Sequence, residues 1–142
     1  MIGTIIIAGI AVLVALVVLF LVIRLVRRRH PRNLKTARFQ DKWRDMQKLC
    51  ADRATWPEAV TAADEILDEA LRKKGFSGKT MGERLTKAQR VISDNEGVWF
   101  GHKLRSKLDT APGTKLKEPE VKQALLGIRQ ALKDLGALPN DK

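Results

Sequence analysis

The chain has 142 residues, of which 44% are apolar, and a formal net charge of +11. These averages fit a small basic globular domain, but both quantities are distributed too unevenly for one uniform domain. When the seven basic residues of the segment 24–38 are set aside, 20 Lys and Arg remain against 16 Asp and Glu, a net charge of +4. The high pI therefore gives no argument that the rest of the chain binds nucleic acid.

The first predicted element is a membrane-spanning helix. Residues 5–23 are an uninterrupted apolar run, which at about 1.5 Å per residue is close to the roughly 30 Å hydrocarbon core of a bilayer. A helix that is apolar on every face would otherwise need a large protein around it. A cleaved signal peptide is the competing interpretation, but it has basic residues before its apolar stretch. Here they follow it, so we predict an uncleaved anchor over residues 1–26.

A basic juxtamembrane segment, residues 24–38, follows the anchor and contains no acid. By the positive-inside rule it places the N-terminus outside and the remaining chain in the cytoplasm. It also predicts contact with anionic lipid headgroups, although such a segment attracts the phosphates of RNA as well. His30 and Pro31 are expected to end the helix that leaves the membrane. The basic residues are Arg24, Arg27, Arg28, Arg29, Arg32, Lys35 and Arg38.

Residues 39–142 are predicted to form a cytoplasmic domain made of helices. The first helix is expected over residues 37–53, and it includes Cys50, the only cysteine, as a helix-packing residue in a reducing compartment. Thr55 is the expected N-cap of the second helix, with Glu58 completing a capping box and Gly75 ending the helix. The apolar stripes are Phe39, Trp43, Met46 and Cys50 in the first helix, and Val60, Ala63, Leu67 and Ala70 in the second.

The third helix has the same start signal, with Thr80 as N-cap and Glu83 three residues later. The fourth begins at Asn95 and contains Gly97 and Gly101, which weaken a helix unless a close neighbour requires the missing side chain. The last helix begins around Glu118, and its stripe is Val121, Leu125, Ile128, Leu132 and Leu135. About five helices with short connections predict an all-α antiparallel bundle.

Four acids lie together in the second predicted helix: Asp64, Glu65, Asp68 and Glu69. Paired carboxylates can bind metals or transfer protons. A metal site in a helical bundle also needs a His three residues after a Glu on a facing helix, and neither His of this chain is so placed. We therefore interpret these residues as a solvated acidic face and predict no metal site and no cofactor.

The segment VWFGHKLRSKLDT, residues 98–110, resembles a helix of the HEPN superfamily of small helical bundles. It is most similar to a group of bacterial proteins that join an N-terminal membrane span to a HEPN-like cytoplasmic domain. In that group the helix reads roughly Trp-x-x-His-Lys-x-Arg-Asn-x-x-Ala-His, and residues 62–85 also resemble its preceding helices. The matching residues are Trp99, His102, Lys103 and Arg105. The resemblance covers roughly residues 40–138 and implies a HEPN-like fold.

The resemblance fails at the catalytic end of the motif. HEPN ribonucleases pair an Arg with a His a few residues later; the His transfers a proton at the 2′-OH or leaving oxygen, and the Arg stabilises the phosphate charge. In this chain Asp109 and Thr110 stand there instead, and no His follows His102. Neither side chain, with an ordinary pKa, can replace the catalytic His as a base at neutral pH. We therefore predict no catalytic residues.

The candidate site is a face formed by His102, Lys103 and Arg105. Either it binds phosphate or a partner, or His102 and Trp99 pack the bundle while Arg105 extends its charged end to solvent or pairs with an acid. The first expected function is a membrane-anchored, non-catalytic module that forms a homodimer or binds an unidentified protein. The alternative is a membrane-tethered RNA-binding protein or ribonuclease that uses Arg105, Lys103, Lys107 and the basic residues of the juxtamembrane segment.

Overall fold

A computed structural model describes residues 1–29 and 33–141 of the chain. It divides into two compact units, Met1–Pro31 and Arg32–Lys142. The regular structure of the described residues is entirely helical, with one long apolar helix followed by five packed α-helices and two short 3-10 turns. The all-α class predicted from the sequence is thus confirmed.

The first unit is the helix α1, Ile2–Arg29. Its stretch Ile2–Val26 has a mean hydropathy of 3.4, and none of that stretch is buried inside the structure. Twenty-five residues rise about 37 Å, which is longer than a bilayer core. The exposed apolar helix is consistent with a single-pass membrane anchor or a signal sequence. The predicted helix end at His30 and Pro31 lies outside the described residues.

The second unit begins with α2, Thr36–Lys48. The prediction of one helix over residues 37–53 is wrong at its C-terminal end, because 3-10 turns at Leu49–Ala51 and Arg53–Thr55 follow α2. Cys50 therefore lies in a turn and is only half-buried, with Sγ 3.9 Å from Sδ of Met46. Burial raises the pKa of its thiol.

The next helix is α3, Trp56–Lys74. The predicted capping box at its start is absent: the Thr55 hydroxyl donates to the carbonyl oxygen of Leu49 at 2.6 Å and does not accept from a helix N–H. The predicted helix end is confirmed, because Gly75 has φ +100°. The amide of Phe76 donates to the carbonyl oxygen of Leu71 at 3.0 Å, which satisfies one of the last carbonyls of the helix.

A short helix, α4 (Met81–Ala88), is connected to α3 by residues 75–80. Its predicted N-cap is confirmed, because Oγ1 of Thr80 accepts from the amide of Glu83 at 3.2 Å. The Glu83 carboxylate in turn accepts from the amide of Lys79 at 2.7 Å. These two hydrogen bonds fix the residue at which α4 begins.

The two remaining helices are α5 (Asn95–Thr110) and α6 (Glu118–Asp134), and they pack with backbones in contact. A Cβ added to Gly127 would overlap the carbonyl group of Gly97 and lie 2.8 Å from its Cα. One added to Gly101 would lie 3.0 Å from the carbonyl oxygen of Ala124. The close approach of the two helices therefore requires Gly101 and Gly127, whereas a Cβ on Gly97 would meet the carboxylate of the α5 N-cap, Asp94.

The core lies among the five helices of the second unit, and the predicted apolar stripes supply most of it. Side chains of α2, α3, α4 and α6 form the main cluster, and the ends of α5 and α6 form a smaller one with α3. The most completely buried large side chains are Phe39, Leu67, Leu71, Leu85, Ile128, Leu132, Leu135, Val60 and Val98. The prominent polar exception is Asp64 of α3, which is only 2% exposed.

Candidate functional site

Asp64 is the residue around which the candidate site is organised. The interpretation of the α3 acids as a solvated face is wrong for this residue, because it lies on the buried side of α3 with Ala63 and Leu67. A carboxylate withdrawn from water is strongly destabilised unless hydrogen bonds or charges compensate. The compensation comes from α5, the helix that carries the HEPN-like motif.

His102 makes the main contact with Asp64. Its Nδ1 lies 3.2 Å from Oδ1 and 3.3 Å from Oδ2 of the carboxylate. A carboxylate oxygen accepts, so Nδ1 donates, and in a neutral imidazole this leaves Nε2 as the unprotonated nitrogen. The ring of Trp99 meets the imidazole edge to face, with centroids 5.9 Å apart. The carboxylate and the indole together fix the orientation of the ring.

Arg105, one turn after His102, is surrounded by carboxylates. Its Nη1 lies 2.9 Å from Asp109. Its Nε lies 3.9 Å from Asp64, and its Nη2 lies 4.0 Å from Glu65. Nε is buried and has no hydrogen-bond partner among the residues that the structure describes. The guanidinium is thus paired with Asp109 and lies near two further carboxylates of the same bundle, which leaves it little free positive charge for a phosphate.

The other acids of α3 are also engaged with basic side chains. Asp68 accepts from Nε of Arg84 at 2.7 Å in a largely buried pair, and Arg72 contacts it from the next turn. Glu69 pairs with Lys42 and with Lys73. The hydrogen bond from Lys42, reinforced by Lys73, lowers the pKa of Glu69 despite its partial burial. Only Glu65 is exposed as the sequence interpretation required.

The remaining predicted site residues do not join this cluster. Lys103 is exposed on α5 and forms no ion pair with any residue that the structure describes. In the juxtamembrane segment, Arg24 and Lys35 are exposed, and Arg38 lies 3.6 Å from Glu69. Outside the described residues are Arg32 and the side chains of Arg27, Arg28 and Arg29.

The sequence identified His102 and Arg105 but not their partner on α3. One signal was available: Asp64 follows Ala63 directly and precedes Leu67 by three residues, so a helical wheel places it beside the apolar stripe. The structural alternative offered for the motif, in which Trp99 and His102 pack the bundle and Arg105 pairs with an acid, describes the observed contacts.

Comparisons with known proteins give no independent identification: no family model, no curated protein and no solved structure matches the chain. The HEPN resemblance therefore remains a hypothesis based on the motif. Chemically, the Asp64–His102 pair can fix the orientation of an imidazole, as in many proton-transferring pairs. Phosphate chemistry also requires a cation that is free to bind the phosphate, and the acids around Arg105 neutralise the cation of this motif.

Proposed function

We propose that this protein is a single-pass membrane protein whose helical bundle serves in the cytoplasm as a non-catalytic interaction module, binding a second copy of itself or another protein. The observation that carries this proposal is the engagement of Arg105 by Asp109, Asp64 and Glu65. An arginine that binds RNA phosphate must exchange water for the phosphate, whereas this one would also have to leave three carboxylates. The contacts of the motif residues therefore favour a role in stabilising the bundle over a role in catalysis.

The membrane part of the proposal rests on α1 and the charges beside it. The helix is apolar over Ile2–Val26, no Lys or Arg precedes Arg24, and basic residues follow. This asymmetry favours a retained anchor over a signal sequence and puts the bundle on the cytoplasmic side. The juxtamembrane segment then lies where anionic headgroups are concentrated.

Topology can be tested with a single reporter thiol. In a Cys50→Ser background, Ala111→Cys places the only thiol in the exposed connection between α5 and α6. A membrane-impermeant maleimide should label it in inside-out bacterial membrane vesicles and leave it unlabelled in intact cells. Labelling of intact cells, or a chain shortened by cleavage after α1, would contradict the anchor and its orientation.

Partner binding is tested by cross-linking in the same membranes after nuclease treatment. The proposal predicts a cross-linked species of defined mass that survives nuclease. One exposed apolar residue of the bundle supports a protein contact, since Leu126 on α6 is 63% exposed beside Pro119 and Gln123. Leu126→Asp should reduce the cross-linked species if that face takes part.

A second candidate is favoured by one observation, the Asp64–His102 contact. In a HEPN-like fold this pair would give the missing base from His102, three residues before Arg105, and Lys103 and Lys107 would bind the RNA backbone. This candidate predicts RNA cleavage that is lost in His102→Gln and RNA binding that weakens with salt and in Arg105→Ala. Binding that is absent or insensitive to salt contradicts it.

A further inference from the structure

A surface cavity of about 200 Å³ lies where α2, α6 and the segment after α6 meet. It is distant in sequence from the HEPN-like motif and uses none of its residues. Its lining is rich in cations and includes one acid. The lining residues that matter are Trp43 and Arg44 of α2, Arg129 and Lys133 of α6, and Asp141.

The carboxylate of Asp141 occupies the cationic side of this cavity. Nζ of Lys133 donates to it at 2.5 Å, and Nη2 of Arg129 lies 3.4 Å from its other oxygen. The hydrogen bond from Lys133 and the two positive charges lower the pKa of the Asp141 carboxyl. The acid itself stays exposed to solvent, and because exposed ion pairs contribute little free energy, another anion can replace it.

Lys133 makes an anion at this position necessary. Its side chain is only 9% exposed, and an ammonium withdrawn from water requires a hydrogen-bonding or charged partner. If the segment 139–141 moved away, Lys133 and Arg129 would be left facing each other on one helix without a counter-charge. Some other carboxylate would then be needed to replace Asp141.

The cavity also has more donors than Asp141 uses. The indole Nε1 of Trp43 is buried and has no acceptor among the residues that the structure describes. Arg44, at the rim, makes only an exposed contact with Asp41 at 3.4 Å. A buried donor without an acceptor is unfavourable, so a ligand that brings a second oxygen within reach of this indole gains a contact that Asp141 does not make.

We propose that this cavity, defined by Trp43, Arg129 and Lys133, binds the carboxylate of an acidic segment of a protein partner, and that Asp141 occupies it when the partner is absent. The proposal rests on the interaction-module function and gives its partner a chemistry. Charge complementarity identifies the ligand: two cations of α6 are balanced by a single carboxylate, and the occupant already present belongs to that chemical class.

The test is the binding of a fluorescein-labelled peptide of alternating Asp and Ser to the full chain in non-ionic detergent micelles, followed by fluorescence anisotropy. Asp141→Asn removes the internal competitor and should tighten binding about three- to tenfold, because a site closed part of the time binds in proportion to its open fraction. In the Asp141→Asn background, Lys133→Met should weaken binding about tenfold, the loss expected for a charge-assisted hydrogen bond.

Two controls separate this site from general charge attraction and from misfolding. Lys122→Met removes the same charge from an exposed position of α6 outside the cavity and should leave binding unchanged. Arg129→Gln changes a more exposed cation and should weaken binding even if Lys133→Met fails to fold. A peptide with Asn in place of Asp should not bind.

Equal binding by Lys122→Met and Arg129→Gln, or no gain in Asp141→Asn, would overturn the proposal. Lys133-dependent binding of a uridine oligonucleotide more tightly than the acidic peptide would overturn it in favour of phosphate. None of these results bears on cross-linking in membranes, so failure of this site and failure of the interaction-module function can be told apart.

Discussion

Gly127 of α6 lies against the backbone of Gly97 in α5, so that position 127 has no room for a side chain. This contact packs the start of α5 against the middle of α6. From there the helices run antiparallel, and Leu104 and Leu108 of α5 reach the Val121 end of α6. The position of the HEPN-like motif, and of His102 and Arg105 within it, depends on this crossing.

Gly127→Ala is therefore expected to destabilise the bundle by about 1–3 kcal/mol or more, the range for an overpacked interior. The added Cβ meets backbone, which cannot rotate away. Urea unfolding of the full chain in micelles, followed by tryptophan fluorescence, measures this loss, since all three tryptophans lie in the second unit. Gly113→Ala, where nothing lies within 4 Å, should change the unfolding free energy by less than about 0.5 kcal/mol.

The contact between Asp64 and His102 should be strongly coupled. A double-mutant cycle with Asp64→Asn and His102→Gln is expected to give a coupling energy of about 0.5–3 kcal/mol, because the pair is withdrawn from water. The matched control is the exposed pair Glu118 and Lys122 of α6, for which about 0.3–0.5 kcal/mol is expected. Equal coupling in the two cycles would show that the Asp64 contact does not organise the site.

Stability should depend on pH through Glu69. Its pKa is lowered in the folded state from the ordinary value of 4.5 by Lys42 and Lys73. The folded chain therefore holds this proton less tightly than the unfolded chain, so the contribution is present above about pH 4.5 and is lost as the pH falls through the lowered pKa. The difference in unfolding free energy between wild type and Glu69→Gln should be largest above the ordinary pKa and shrink as the pH falls through the lowered pKa of the folded state. Parallel pH curves would contradict the ion pairs.

Thr80→Ala should destabilise the bundle by about 1 kcal/mol, because the amide of Glu83 loses its acceptor at the start of α4. Thr80→Ser keeps the hydroxyl and should unfold at nearly the wild-type urea concentration. A Ser variant as unstable as the Ala variant would mean that the methyl group of Thr80, and not its hydrogen bond, is what matters.

Most of the fold was predictable because apolar spacing and helix boundaries are local signals. The stripe containing Val60, Ala63 and Leu67 is buried as expected, and Gly75 ends its helix. Local signals failed between α2 and α3, where the Thr55 hydroxyl binds a carbonyl across two 3-10 turns. A Thr followed by Glu three residues later fits both arrangements, and only the path of the preceding turns decides between them.

For the candidate site, the sequence predicted the residues on α5 but not their partner on α3. His102 and Arg105 stand together in sequence, so their motif draws attention, but Asp64 is 38 residues earlier and becomes their partner only when α3 packs on α5. An acid among three other acids looks solvated. Its burial follows from a helix contact that no single segment contains.

The molar mass of the full chain in detergent micelles, measured by light scattering after nuclease treatment and again after RNA is added, tests the central claim most directly. The account predicts a protein mass that RNA does not change, and a mass of twice the 15.9 kDa chain where the module binds a second copy of itself. A monomeric mass that rises with RNA in the wild type, but not in Arg105→Ala, would contradict the interaction module and favour the RNA-binding alternative.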